Sequence, residues 1–240
     1  MNRICFVNYC TDRIGGKHEG EWAGRGISQT EQAYKHGATE VHNWNEEMLH
    51  DTLLYKLHRK QFDIVYVAGF IWKPYVILQS LITTKCEHLL YLDCDLAIVD
   101  DLHKFTDHLE EQDVVIPASP WLHGQWMKRE AAILLESDTK EFYNLQQLYG
   151  NLLAFKNSAI SRTFLLDWLT FALYPEVSTY EKSISIEEHP NYYVHRNQGG
   201  LTVLYHQYGF KQYPTELIDI TDLREQGGAT LIAYKVEKME

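Results

Sequence analysis

The chain has 240 residues, 22 Lys and Arg against 33 Asp and Glu, and a formal net charge of −11. This acidity sets nucleic-acid binding aside, because neutralising phosphates with Lys and Arg dominates such affinity. An anionic cofactor stays compatible with it where a metal or a local basic group intervenes. The length and a hydrophobic content of 45% fit one globular domain with a sizeable core. The 16 Tyr and 6 Trp can fill such a core or form flat platforms for bases and sugar rings. Four cysteines, Cys5, Cys10, Cys86 and Cys94, form no CxxC pair and no zinc-finger array; reduced thiols in a cytosolic compartment are the simplest reading.

In chain order, Arg3 to Asn8 reads as a buried strand. Thr11 to Gly26 is rich in glycine and charge and reads as a loop. Ser28-Gln29-Thr30-Glu31 opens a helix with a capping pattern, and Gly37 ends it. Glu40 to Asn45 is a second strand, Glu46 to Arg59 a helix, and Phe62 to Val67 has strand character. Pro74 sits in the first turn of a helix running to about Thr84. His88 to Asp93 is a strongly apolar strand. Val114 to Pro117 and Leu152 to Phe155 are further strands, and Trp121 to Met127 is irregular. Ser161 to Leu173 and Gln198 to Tyr208 are helices, and Leu231 to Val236 is a last strand.

This alternation predicts an α/β fold with a mostly parallel sheet covered on both faces. Ligands of such sheets bind in the crevice beyond the strand C-termini, where Tyr9-Cys10-Thr11 and Asp93-Cys94-Asp95 are both expected. No repeat or linker interrupts the chain. Residues 1–240 read as a single domain, with 1–100 as the half that binds the donor and 101–240 as an elaborated second half.

Leu89 to Leu96 is the most informative stretch. An apolar strand ends on two carboxylates, Asp93 and Asp95, one residue apart and on one face of an extended chain. Such a pair repels itself unless a cation intervenes. Its hard oxygens suit Mg²⁺ or Mn²⁺, which would stabilise charge on a leaving diphosphate. Asp100-Asp101 is a second acidic pair and reads as a helix cap.

Several segments, in order, resemble those of glycosyltransferases with the GT-A fold, and more closely sugar transferases for capsule and surface polysaccharides from bacteria and large viruses. They are Gly69-Phe70-Ile71-Trp72-Lys73-Pro74-Tyr75, Leu90 through Asp95, Trp126-Met127-Lys128-Arg129-Glu130, Gln147 through Lys156 with Gly150, and His195-Arg196-Asn197-Gln198. The resemblance covers about residues 60 to 210, with Asn197 standing where the pattern has Asp.

It implies a single GT-A domain that binds Mn²⁺ or Mg²⁺ and a nucleoside diphosphate sugar, UDP-sugar favoured over GDP-sugar. It implies Asp95 as a direct metal ligand, and Asp93 as a ligand or a contact to ribose. Asn8, Tyr9 and Thr11 would hold base and ribose; Trp72 and Lys73 would meet sugar and phosphate. Gln198 and Asn197 would lie near the anomeric carbon, a lean towards retention that the lost carboxylate weakens. His206, two turns beyond Gln198, is a candidate third metal ligand. Lys128 and Arg129 offer positive charge, and Glu130 or Asp138 is a candidate general base for an inverting route.

The expected activity is sugar transfer to the hydroxyl of a glycan or other acceptor. The competing readings are a sugar nucleotidyltransferase, for which Gly15-Gly16-Lys17 and Gly24-Arg25-Gly26 are suggestive, and a non-catalytic glycan-binding or scaffold protein. No run approaches the roughly 20 apolar residues that span a bilayer, and Met1 to Val7 lacks the pattern of a leader. The expectation is a cytoplasmic protein with no transmembrane segment, for which peripheral membrane contact stays open.

Overall fold

The structure, a computed structural model, describes residues 2–11, 21–65, 71–94, 96–174, 196–213 and 233–235. Its strands are β1 (Ile4–Tyr9), β2 (Ala38–Trp44), β3 (His88–Leu92), β4 (Leu96–Ile98), β5 (Val114–Val115), β6 (Ala118–Leu122), β7 (Gln146–Leu148), β8 (Leu152–Lys156) and β9 (Ala233–Lys235). Its helices are α1 (Glu21–Lys35), α2 (Glu46–His50), α3 (Leu53–Leu57), α4 (Arg59–Val65), α5 (Trp72–Thr83), α6 (His103–Thr106), α7 (Arg129–Leu134), α8 (Lys140–Tyr143), α9 (Ala159–Ala172) and α10 (Arg196–Gln207).

The central sheet has the order β2-β1-β3-β8-β5. β1 pairs parallel with β2 and β3, while β8 runs antiparallel to both β3 and β5. The sheet is therefore mostly parallel, as the strand–helix alternation predicts. Side chains alternate across it. Ile4, Phe6, Leu90, Leu92, Leu152 and Ala154 pack with Ala33 of α1 and Phe105 of α6. Cys5, Val7, Tyr9, Leu89, Tyr91, Leu153 and Phe155 pack with α5 and α9 on the other face. Burial on both faces is why β1 and β3 read as unbroken apolar runs. Each fully buried Leu or Phe there contributes about 1.5–3 kcal/mol.

Local signals set the helix starts. Asn45 caps α2 through Met48 N, Thr52 caps α3 through Tyr55 N, and Ser158 caps α9 through Ser161 N. The cap residue of α6 is Leu102, with no side-chain cap bond, and not Asp100 or Asp101 as expected; Asp101 Oδ1 accepts from His103 N at 3.0 Å just ahead of it. No described helix is long and apolar enough to cross a membrane.

Three further expectations fail. Phe62 to Val65 is helical within α4 and not a strand; residues 66–67 lie outside the described residues. A run this short carries no decisive period, and the helix buries Phe62 edge-on against Tyr55, with ring centroids 5.5 Å apart. Glu21 to Gly26 belongs to α1 and not to a loop. Gly26 there serves close packing: a Cβ would meet Cys10 Sγ at 2.8 Å, where α1 crosses the end of β1. The single helix expected over Glu46–Arg59 is broken into short pieces, α2 and α3, with α4 beginning at Arg59.

Gly200 on α10 faces Phe171 of α9, and a Cβ would stand 2.0 Å from Phe171 Cε1. Phe171 is buried, so Gly200→Ala is expected to cost about 1–3 kcal/mol, read as a lower urea midpoint.

His123 is fully buried and shares a 2.6 Å hydrogen bond with Gln147 Oε1 through Nδ1. Burial lowers its pKa from the ordinary 6.5 to about 4. The unfolded chain takes up this proton near the ordinary value, while the folded chain resists it down to about 4. Stability is thus full above that window and falls across it, by on the order of 3 kcal/mol. Burial lowers His88 and His206 as well, with the same sign. Urea unfolding from neutral to acid pH should show the fall, and His123→Gln should flatten it.

Candidate active site

β3 delivers Asp93 to the C-terminal edge of the sheet. The turn that follows is pinned by backbone bonds: Asp93 N donates to Asn151 O at 2.9 Å, and Leu96 N to Asp93 O at 3.1 Å. Gln29, from α1, clasps the same turn. Its Nε2 donates to Asp93 O at 2.8 Å and to Leu96 O at 2.6 Å. Asn8 Nδ2 in turn donates to Gln29 Oε1 at 2.9 Å. Asn8 and Gln29 are both buried, so β1, α1 and the turn share one polar brace inside the core. Asn8 Oδ1 is buried with no hydrogen-bond partner among the described residues.

The Asp93 carboxylate meets an ammonium. Lys73 Nζ lies 2.7 Å from Oδ1 and 3.0 Å from Oδ2, and also donates to Gly150 O at 2.7 Å. Tyr91 donates its phenol to Asp93 Oδ1 at 2.5 Å. Burial holds the Tyr91 pKa well above its ordinary value, so it stays a donor. Lys73 is the second residue of α5, ahead of Pro74, and its side chain is only 8% exposed against 29% for Asp93. The rings of Tyr91 and Trp72 flank the ammonium at 5.2 and 5.6 Å. A buried ion pair is tolerated only with such additional partners.

The cation beside Asp93 is therefore Lys73. An ammonium at 2.7 Å opposes a divalent ion on the same oxygens. Of the two acids this leaves Asp95 as the candidate direct ligand, and it lies outside the described residues. Asp93 shapes the turn.

The other sequence candidates divide. Tyr9 and Trp72 are buried and stack on each other at 4.2 Å, so in this structure they brace the site and offer no free platform. Thr11 Oγ1 donates to Glu46 Oε2 at 3.4 Å. Gln198 sits beside Gly150, where a Cβ would lie 3.5 Å from Gln198 Cγ, and its Nε2 donates to Leu148 O. It is thus next to the carbonyl that holds Lys73. The side chain of Asn197 and all of His195 lie outside the described residues.

Asp138 is held by other residues. Arg129 Nε and Nη2 hold it at 3.0 Å, and Tyr143 donates to it at 2.5 Å. The Arg129 hydrogen bond lowers its pKa, which suits a structural anion better than a base. The same pair gives Arg129 a structural partner. His206 packs edge-on to Phe142 at 6.0 Å, about 12 Å along α10 from Gln198. Its described contacts lie with Phe142, Tyr205 and the Gln146 backbone, away from Asp93.

Sequence reading missed Gln29 and, for Tyr91 and Gly150, which lie in the resembling segments, their roles as partners of Asp93 and Lys73. Tyr91 carried a signal, lying two positions before Asp93 on one strand face. Gln29 was hidden inside a capping pattern.

No protein-family model matches the chain, and no curated protein matches its sequence. Among solved structures, the chain is similar to mouse xyloside xylosyltransferase 1 in its apo form, at 11% identity and a TM-score of 0.47, over 88% of this chain and 84% of that one.

Lys73→Met should strand the Asp93 charge and destabilise the fold by on the order of 3 kcal/mol. Adding Asp93→Asn should recover part of that loss. Urea unfolding of the four proteins of this double-mutant cycle measures the coupling.

Proposed function

We propose that the chain is a metal-dependent glycosyltransferase that moves a sugar from a nucleoside diphosphate sugar, UDP-sugar favoured, to a glycan or other acceptor hydroxyl. One observation carries the reading. The segments that resemble the sugar transferases are scattered along the sequence, yet they meet. Lys73 reaches both Asp93 and Gly150, Gln198 lies against Gly150, and Gly199 packs on Met127, where a Cβ would stand 2.9 Å from its Cγ. A turn held this tightly at the C-terminal edge of a mostly parallel sheet occupies the usual position of a ligand crevice.

In this reading residues 1–100 bind the donor and the remainder receives the acceptor. Asn8 and Thr11, at the end of β1, serve the base and ribose; the buried Asn8 Oδ1 is an acceptor for a base N–H. Lys73, Tyr91 and Gln29 hold Asp93 in one geometry, and Asp95, two residues on, is the ligand this reading assigns to the metal. Asp95 would hold Mg²⁺ or Mn²⁺, which would supply positive charge for a diphosphate leaving group. Gln198, anchored on Leu148 O, contributes a polar side chain beside the same turn.

Incubation with UDP- and GDP-sugars and Mn²⁺ should release nucleoside diphosphate, slowly with water as acceptor, and Asp95→Ala should abolish both release and metal-dependent donor binding. Pyrophosphate release from a nucleoside triphosphate and a sugar phosphate would instead establish a nucleotidyltransferase. Donor binding indifferent to Mn²⁺ and to Asp95→Ala would refute the site.

A further inference from the structure

A second set of ligand-type side chains gathers on the α5 face of the sheet. The Sγ of Cys5, a carboxylate oxygen of Glu40 and a ring nitrogen of His42 lie within 4.8 Å of one another. The strand register explains this. Cys5 pairs with Glu40 across β1 and β2, and His42, two residues on, shares the face of Glu40. Cys86, in the segment before β3, places its Sγ 3.4 Å from Glu40 Oε2. Cys5 is level with Leu89 on β3, four residues and about 13 Å before Asp93. The cluster is thus separate from the Asp93 turn.

Two thiols, one imidazole and one carboxylate form a donor set for a borderline-soft ion and not for Mg²⁺ or Mn²⁺, which prefer oxygen. Tetrahedral zinc keeps its ligand atoms about 3.5 Å apart, given bonds of about 2.0–2.3 Å. Among Cys5, Glu40 and His42 the gaps run from 2.6 Å, between His42 Nε2 and Glu40 Oε1, up to at most 4.8 Å, and Cys86 Sγ stands 3.4 Å from Glu40 Oε2, distances that bracket that spacing. Small rotations about side-chain bonds close the difference. The scaffold is stiff, since Cys5 and Glu40 lie in paired strands. Cys5 and Cys86 are buried, while His42 and Glu40 side chains are 23% and 35% exposed and open a way in. Outer hydrogen bonds also exist. Thr84 Oγ1 donates to Glu40 Oε2 at 2.7 Å, and Thr39 Oγ1 lies 3.4 Å from Cys86 Sγ. Such contacts orient ligands. A hydrogen-bonded rim accounts for Glu40, His42, Thr84 and Cys86; the ligand reading adds Cys5, whose Sγ lies within 4.8 Å of the ligand atoms of Glu40 and His42.

We propose that Cys5, Glu40, His42 and Cys86 form a zinc site that ties β1 and β2 to the start of β3. Four protein ligands leave no open position, so its role is structural. On binding, each thiol releases its proton to solvent. The proposal stands apart from the transferase reading.

The test uses the whole chain, stripped of metal and titrated with Co²⁺, whose thiolate complexes absorb by sulfur-to-metal charge transfer. One equivalent should give the band, and Zn²⁺ should displace it. His42→Ala and Cys86→Ala should each weaken Co²⁺ binding by at least about 10-fold, while Cys94→Ser and Asp95→Ala should leave the band unchanged. Because a change at buried Cys5 risks unfolding the chain, Glu40→Gln, with circular dichroism as a check on folding, serves as the further variant and should also weaken binding. A folded protein without a charge-transfer band overturns the proposal. So does a band whose affinity is the same in His42→Ala, Glu40→Gln and Cys86→Ala.

Discussion

The candidate active site depends on one buried ion pair. Lys73 and Asp93 come from different elements, α5 and the end of β3, and neither charge tolerates burial alone. Their contact at 2.7 Å, with Tyr91 and the Gly150 carbonyl as further partners, fixes where α5 starts against the sheet and where the turn after β3 points. Gly150 precedes β8, the strand next to β3, so the pair also ties in the second half of the chain. Through the neighbouring Gln198, the beginning of α10 is held at the same place.

The sheet supplies the rigidity this pair requires. β1 and β3 are buried on both faces, and register places Val7 opposite Tyr91. Asn8 and Tyr9 then emerge beside the Asp93 turn, and the Asn8–Gln29 brace closes the gap between them. Aromatic mass is used in the same way. Tyr9 stacks on Trp72 inside the core, and Trp72 and Tyr91 wall the ammonium of Lys73, which limits the solvation of the pair. Polar atoms that water would otherwise loosen are thereby held to a single arrangement.

The sequence made the long, buried elements legible. β3 and α9 show clear periodicity or an unbroken apolar run, and Pro74 marked the first turn of α5. Short runs were not legible, because Phe62 to Val65 has the composition of a strand and the packing of a helix. Residues 21–26 looked like a loop because glycine there answers to a neighbour, Cys10, that is remote in sequence. Asp93 was readable from its place after an apolar strand, whereas its partner was not. A lysine at a helix start suggests a phosphate contact as readily as an ion pair, and only the tertiary fold decides which anion it meets. Asp138 shows the converse. A loop carboxylate reads as a possible base until Arg129 and Tyr143 are seen to hold it.

The central claim is that the Asp93 turn is the anchor of a metal-assisted nucleotide site. Calorimetric titration of UDP into the protein, with and without Mn²⁺, tests it most directly when repeated on the folded double variant Lys73→Met/Asp93→Asn. The account predicts binding that requires Mn²⁺ in the natural chain and is lost or strongly weakened in the variant. UDP binding of equal strength with and without the metal, and in both proteins, would contradict it.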